Sequence, residues 1–414
     1  MRNNPVDKYI LHVDGDNFFV SCELQRFPHL KGTPVVVGEE RGIASAMSPE
    51  AKKMGITRGM PIFQIRAKYK NVTVLPAHFE LYEQYNQKMY DILCRYSNTV
   101  ERYSIDECFA VIYDKNILSR IKKEAEEALG ITLSFGLATT KTLAKIASKK
   151  EKPSGCVSFI NTDVTEILKQ TPIGSVWGIG RAISAELTGY NIHTAYDFTQ
   201  AGRQFVEKNF GSNTLETWYE LQGIEQKPVE SSYGLPGGQK SFQSTRSFGY
   251  STKERTFLLS ELCTHTEILC KRLRMADLQT NHFSFFLKKN TDHNRYLSIE
   301  LDIGFYTNNP SHIYGMILES FKEIYSSIYA YKGTGVSMHR VRPTETIQAD
   351  LFGVQNTVQA QNAFLDVLDE LQDDSVHLLA SLESRRVRKE KEDIRNKRNR
   401  FIYGLPLPYM GEVS

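Results

Sequence analysis

Most marks of a specialised chain are missing from this sequence. No stretch approaches the roughly 20 apolar residues that a membrane helix needs. The start, Met1-Arg2-Asn3-Asn4-Pro5, carries no apolar leader segment. A membrane partner is therefore not expected. Cysteine is scarce: Cys22, Cys94, Cys108, Cys156, Cys263 and Cys270 include no CxxC pair. That argues against a disulfide scaffold or a structural zinc, and for a reduced, cytoplasmic setting. Neither sign of charge dominates, with 51 Lys and Arg against 48 Asp and Glu and a net charge of +3. A hydrophobic fraction of 41% and a charged fraction of 24% are those of globular proteins and exclude a disordered or collagen-like chain. At roughly 100–200 residues per domain, the 414 residues imply two to four domains.

The charge that is present is clustered. Residues 383–400 hold nine Lys and Arg against four Asp and Glu, whereas 353–382 hold five acidic residues and no Lys or Arg. Lys141, Lys145, Lys149, Lys150 and Lys152 form a second basic cluster. Such clusters suit a polyanionic partner, although solvated helix faces have the same pattern.

Hydrophobic periodicity predicts the elements. Residues 9–13 read as a buried strand ending in Asp14-Gly15-Asp16, with a helix from Asn17. Residues 33–38 form a short strand closed by Gly38, and 48–54 a helix stopped by Gly55. A longer helix spans 81–96. Residues 100–103 and 108–113 read as two strands around the acidic turn Ser104-Ile105-Asp106-Glu107. A helix at 119–129, a strand at 133–138 and a helix at 141–150 follow, so one sheet covered by helices is expected. Beyond Pro172 come short helices with glycine turns, then a linker over 229–242 containing Pro236-Gly237-Gly238. A second small α/β unit follows, with strands at 283–288 and 296–301 and helices near 256–275 and 310–329.

Asp14 ends one predicted strand, and Asp106-Glu107 sits in a hairpin turn 92 positions later. Adjacent carboxylates repel and call for cations or protons. A magnesium site uses one or two carboxylates plus substrate phosphates, and paired ions clamp the attacking and leaving oxygens of phosphoryl transfer. An ordinary turn also favours Asp. Taken together, Asp14-Gly15-Asp16-Asn17-Phe18-Phe19 and Ser104-Ile105-Asp106-Glu107 resemble the two catalytic motifs of Y-family translesion DNA polymerases, nearest the bacterial DNA polymerase IV and DNA polymerase V catalytic-subunit groups. Residues 45–56 with Gly59-Met60-Pro61 are similar to the fingers segment of that family. Residues 141–148 through Lys152-Pro153-Ser154-Gly155 are similar to its palm lysine motif. The resemblance covers roughly residues 8–352 and implies an α+β multidomain, right-hand-like fold. Its parts would be a palm (1–27 and 76–170), small fingers (28–75), a helix-hairpin-helix thumb (171–230), a linker (231–242), an α/β little finger (243–345), a clamp-binding peptide (346–352) and a helical, basic tail (353–414).

The same resemblance implies low-fidelity, template-directed addition of deoxynucleotides to a primer 3′ end past damaged bases, as in SOS-type DNA repair. Two Mg²⁺ ions would be held by Asp14, Asp106, Glu107 and the carbonyl of Gly15, with Asp16 supporting the helix start. Phe19 would be the steric gate against ribose, and the N–H groups of Phe18 and Phe19 would face the triphosphate. Lys52 and Lys152 match the family's triphosphate-binding cations. The sequence departs from many members in having Pro49 and Lys52 where Tyr and Arg stand, which removes one side-chain donor and one forked contact. Lys141, Lys145 and Lys149 repeat every four residues and are expected on an exposed face, either tracking phosphates or merely solvated. Gly178, Gly180 and Arg181 fall in the thumb-like turn, and Lys240, Arg246, Arg340 and Arg342 are expected phosphate contacts. Gln348-Ala349-Asp350-Leu351-Phe352 resembles the peptide that docks on the bacterial β sliding clamp, and the tail would meet an accessory subunit or its own basic segment. A nucleotide cyclase and a catalytically dead DNA-binding scaffold are the competing classes. The thumb-like turn, the little-finger-like region and the clamp-like peptide oppose the first; intact Asp14, Asp106 and Glu107 oppose the second.

Overall fold

A computed structural model describes residues 8–231, 241–291 and 295–344. Lys240, the 346–352 peptide and the tail lie outside them. The described residues fall into two compact units, the first up to residue 231 and the second from residue 241.

The first unit is built on strand β1 (Tyr9–Gly15), followed by helix α1 (Phe18–Arg26). A small subsheet comes next: β2 (Val35–Val37), β3 (Ala46–Met47), helices α2 (Pro49–Lys53) and α3 (Ile62–Lys68), and β4 (Thr73–Leu75). Its strands lie in the order β3-β2-β4 and enclose a core of their own around Val36, Met47, Ile56 and Ile65. Ser48 caps α2 by accepting from the N–H of Ala51 at 3.2 Å. Pro49 therefore occupies the first helical position, where a missing N–H costs nothing.

The main sheet adds α4 (Phe79–Cys94), β5 (Val100–Arg102), β6 (Glu107–Ile112), α5 (Leu118–Leu129), β7 (Leu133–Ala138), α6 (Lys141–Lys150) and β8 (Cys156–Ser158). Its order is β5-β6-β1-β7-β8. The central strand β1 is buried on both faces, so its sequence is nearly continuous apolar rather than alternating. One face packs against α1, α4 and α5 through Leu11, Val13, Ala110 and Phe135. The other, bearing Ile10, Phe109 and Val111, packs against α6 and the helices that follow. Those are α7 (Thr165–Gln170), α8 (Arg181–Gly189), α9 (Ala195–Gln200), α10 (Arg203–Asn209) and α11 (Ser212–Leu221).

Between sheet and helices, residues 141–148 of α6 are buried, so the expected lysine stripe is divided: Lys141 and Lys145 are covered, while Lys149 is exposed. Lys141 and Lys145 are 4% and 5% exposed and are ion-paired to Glu101 and Glu107. The start of α6 is held by buried Glu220, which accepts from the N–H and hydroxyl of Thr142 at 2.9 and 2.7 Å. Gly136 lets the helix approach the sheet: a Cβ there would lie 2.1 Å from the Ala144 carbonyl and 2.3 Å from the Ser148 nitrogen.

The second unit runs β9 (Ser241–Thr252), α12 (Arg255–Met275), β10 (Leu278–Lys289), β11 (Tyr296–Thr307), α13 (Pro310–Ile324) and β12 (Tyr331–Pro343). This β-α-β-β-α-β order forms an antiparallel sheet β11-β10-β12-β9. Its strands are longer than periodicity predicts, and β9 begins inside the expected linker. Among the described residues no helix is long and apolar enough to cross a membrane.

Gly136→Ala should lower the stability of the first unit by about 1–3 kcal/mol, the usual penalty of overpacking against backbone. Denaturant unfolding reads this directly, and an unchanged midpoint would mean that α6 is not seated this tightly.

Candidate active site

Register brings the acidic residues together. β1 and β6 pair antiparallel with Asp14 directly opposite Glu107, and on the other side Asp14 faces Ser134 of β7. The Gly15 N–H donates to the Asp106 carbonyl at 2.9 Å and ties the hairpin turn to the strand end. Asp14 is buried, and Asp106 and Glu107 are half-buried. The Ser104 hydroxyl bridges the pair, 2.6 Å from Asp106 Oδ1 and 3.2 Å from Glu107 Oε2.

Two lysines answer this negative charge. Lys152 Nζ lies 2.5 Å from Asp14 Oδ1 and 3.9 Å from Asp16 Oδ1. Lys145 Nζ lies 3.0 Å from Glu107 Oε2. Burial pushes the Asp14 carboxyl up to about 6, against the pull of Lys152. Burial also pushes Glu107 up, but the hydrogen bond and charge of His12, with Lys145, outweigh it and hold Glu107 at about 2. Desolvation holds buried His12 down at about 4, so its ring is neutral near pH 7. His12, Asp14 and Glu107 bring one donor atom each within 4.8 Å of one another, whereas the Asp106 carboxylate is turned to Ser104. The chemistry of this donor set, imidazole and carboxylate, fits a divalent cation.

Sequence reasoning missed His12. The available signal was strand alternation, since a residue two before Asp14 must share its face. Asp16 braces the site: its Oδ1 accepts from Ser134 Oγ at 2.8 Å and its Oδ2 from the Ser154 N–H at 2.7 Å.

The residues expected to face a nucleotide are fixed by packing. A Cβ on Gly15 would lie 2.5 Å from Phe18 Cδ2, so only glycine fits above that buried ring. Phe19 is half-buried and stacks on Tyr82 with centroids 4.3 Å apart and planes 9° apart. Tyr82 in turn donates to buried Glu23 at 2.7 Å, so the Phe19 ring rests on an anchored neighbour. Lys52 donates to the side chain of Asn17, joining the end of α2 to the start of α1.

Lys145 Nζ also lies over Tyr103 at 4.4 Å and Trp177 at 5.3 Å from the ring centroids. Trp177 Nε1 donates to the Tyr103 hydroxyl at 2.9 Å, which ties the 176–181 turn to the end of the sheet that bears Asp106 and Glu107. Gly178 has φ +91°, and a Cβ there would lie 2.5 Å from Thr217 Oγ1. Gly180 starts α8 with no side-chain cap, and Arg181 is exposed beside it. In the second unit, Arg246 pairs with Glu261 at 3.1 Å and Arg340 with Asp302 at 3.0 Å. The Arg342 guanidinium lies 3.5 Å from the Tyr306 ring centroid.

In the metal-free chain the Asp14 carboxyl should titrate near pH 6. Lys152→Ala should move it higher, because Lys152 favours the ionised form. Carbon-13 NMR of labelled aspartate reads both values; an Asp14 titration near the ordinary 3.8 would contradict this electrostatic description.

Residues 13–149 match the impB/mucB/samB family and residues 239–351 the C-terminal domain of that family. A DNA polymerase IV of Desulfatibacillum aliphaticivorans is 32% identical over 245 residues, covering 57% of this chain and 61% of that protein. The chain thus aligns to about three fifths of that relative. A DNA polymerase IV of Clostridioides difficile is 30% identical over 279 residues, covering 65% of this chain and 76% of that protein. A solved Y-family DNA polymerase chimera shares the fold with a TM-score of 0.68 at 22% identity, over 81% of this chain and 99% of that one. With two domain matches in chain order and relatives of this similarity, the chain belongs to the impB/mucB/samB family.

Proposed function

We propose that this chain is a template-directed DNA polymerase that adds deoxynucleotides to a primer 3′ end and continues past damaged template bases. The observation that carries the reading is Asp14 paired opposite Glu107, with Asp106 at the adjoining turn, in a Y-family chain. Phosphoryl transfer needs positioning and charge neutralisation more than covalent help from protein.

Asp14, Asp106, Glu107 and the Gly15 carbonyl would hold two Mg²⁺ ions. Bound Mg²⁺ would activate the primer hydroxyl and neutralise the triphosphate. Before that, Lys145 and Lys152 keep the carboxylates from repelling one another. The Lys152 side chain, 32% exposed, is able to turn from Asp14 to the triphosphate, with Lys52 and the N–H groups of Phe18 and Phe19 as further contacts. Phe19, backed by Tyr82, would exclude a 2′-hydroxyl.

In this reading the main sheet is the palm, residues 28–75 the fingers, 171–230 the thumb and 243–345 the little finger. Gly178, Gly180 and Arg181 would hold a DNA phosphate through backbone donors. Arg246 and Arg340 would have to exchange their carboxylate partners for phosphates. Docking of Gln348, Asp350, Leu351 and Phe352 on a bacterial sliding clamp, an accessory subunit on the tail and a cytoplasmic place of action rest on the sequence and family.

Primer extension tests the reading. Asp106→Asn should cut extension by about 10²–10³-fold, the scale of losing one electrostatic stabiliser, with DNA affinity within about twofold by anisotropy. Unchanged extension would remove the metal role, and a cyclic nucleotide product would favour the cyclase class. Phe19→Ala should raise the ribonucleotide-to-deoxynucleotide incorporation ratio by about tenfold or more, the equivalent of relieving a clash of about 1–3 kcal/mol. An unaltered ratio would reject the gate.

A further inference from the structure

Helix α1 meets helix α4 at two points one turn apart. Phe19 and Glu23 stand four residues apart on α1 and so share a face. Both contact Tyr82 of α4. Phe19 lies flat on the Tyr82 ring, with centroids 4.3 Å and planes 9° apart. Glu23 Oε1 accepts from the Tyr82 hydroxyl at 2.7 Å. Phe79, three residues earlier on α4, stands at 81° to the Phe19 ring with centroids 5.6 Å apart. Turning the Phe19 ring would therefore drive its edge into Tyr82. Glu23 and Tyr82 are wholly buried, and a buried carboxylate is costly unless its oxygens are occupied. His78 Nδ1 lies 2.8 Å from Glu23 Oε1, and an Arg26 guanidinium nitrogen lies 3.5 Å from Oε2. Burial pushes the Tyr82 phenol well above its ordinary range, so it keeps its proton and donates. A satisfied buried polar network rigidifies its members, and here one member supports the Phe19 ring.

We propose that Glu23 and Tyr82 are positioning residues for sugar selection. The Glu23–Tyr82 hydrogen bond fixes the height and plane of the Phe19 ring, and discrimination between deoxyribose and ribose depends on that bond as well as on Phe19. The proposal rests on the reading of Phe19 as the steric gate. A gate discriminates only if it cannot recede: a 2′-hydroxyl adds a single oxygen, and a ring free to shift by about 1 Å would admit it. Neither Glu23 nor Tyr82 touches the substrate in this arrangement; both act through the ring.

The test is the ribonucleotide-to-deoxynucleotide incorporation ratio of the full chain on one primer–template with Mg²⁺. Tyr82→Phe removes only the hydroxyl and should raise the ratio about threefold or more, the size of one hydrogen bond. Glu23→Leu should raise it likewise. Tyr82→Leu also removes the stack and should raise it about fivefold or more. None of these changes should add to Phe19→Ala: each double variant should stay within about twofold of Phe19→Ala, because the ring to be positioned is gone. A general loosening of the fold would lower incorporation of both sugars together and leave the ratio unaltered. Tyr82→Phe, which removes no packed carbon, decides the matter if the other variants fail to fold. A ratio unchanged in Tyr82→Phe while Phe19→Ala raises it overturns the proposal and leaves the gate standing, as do effects that add fully in the double variants. A ratio unmoved by Phe19→Ala removes the gate and this proposal with it.

Discussion

Carboxylates gathered at one sheet end repel, and the surrounding structure is arranged around that repulsion. Two unit charges about 4 Å apart at an effective dielectric near 20 interact by about 4 kcal/mol, a large fraction of a domain's net stability. Asp14 and Glu107 are placed opposite each other by strand register, so the repulsion cannot be relieved by sliding. It is relieved by Lys152 on one carboxylate and Lys145 on the other. The two acids respond differently. Asp14, more buried, is pushed up, and Glu107, with two nitrogen partners, is held down.

The lysines are themselves positioned by packing. Lys145 reaches Glu107 because Gly136 lets α6 lie close on the sheet and Glu220 anchors its first turn. The ammonium is then surrounded by Tyr103, Phe109 and Trp177, which hold a cation without competing for the carboxylate. The Trp177–Tyr103 hydrogen bond joins the turn that contains Gly178 and Gly180 to the acidic end of the sheet.

Local signals made much of this legible. The strand–acid–glycine pattern at 9–16, the strand at 133–138 and the helix at 141–150 are readable because apolar runs and caps act within a few residues. The pairing of Asp14 with Glu107 is not a local fact; it became legible only through resemblance of two motifs to a family. The direction of the α6 lysines was not readable, because a four-residue repeat has the same form on a solvated face and on a face covered by α11. The long strands were obscured by their residue types: β9 alternates in burial but places Ser244 and Arg246 on the covered face, and β12 is buried throughout 333–338, where Gly333, Thr334, Gly335 and Ser337 give no apolar signal. His12 escaped because a lone histidine in an apolar strand joins the acidic group only when strand pairing sets Glu107 beside it.

The most direct measurement is anomalous diffraction from manganese(II) in crystals of the chain with primer–template DNA and an unreactive deoxynucleoside triphosphate analogue. The account predicts peaks bonded to the carboxylates of Asp14, Asp106 and Glu107, adjoining the triphosphate, with Lys152 withdrawn from Asp14. Peaks confined to other sites, with Lys152 and Lys145 still paired to their carboxylates, would contradict it.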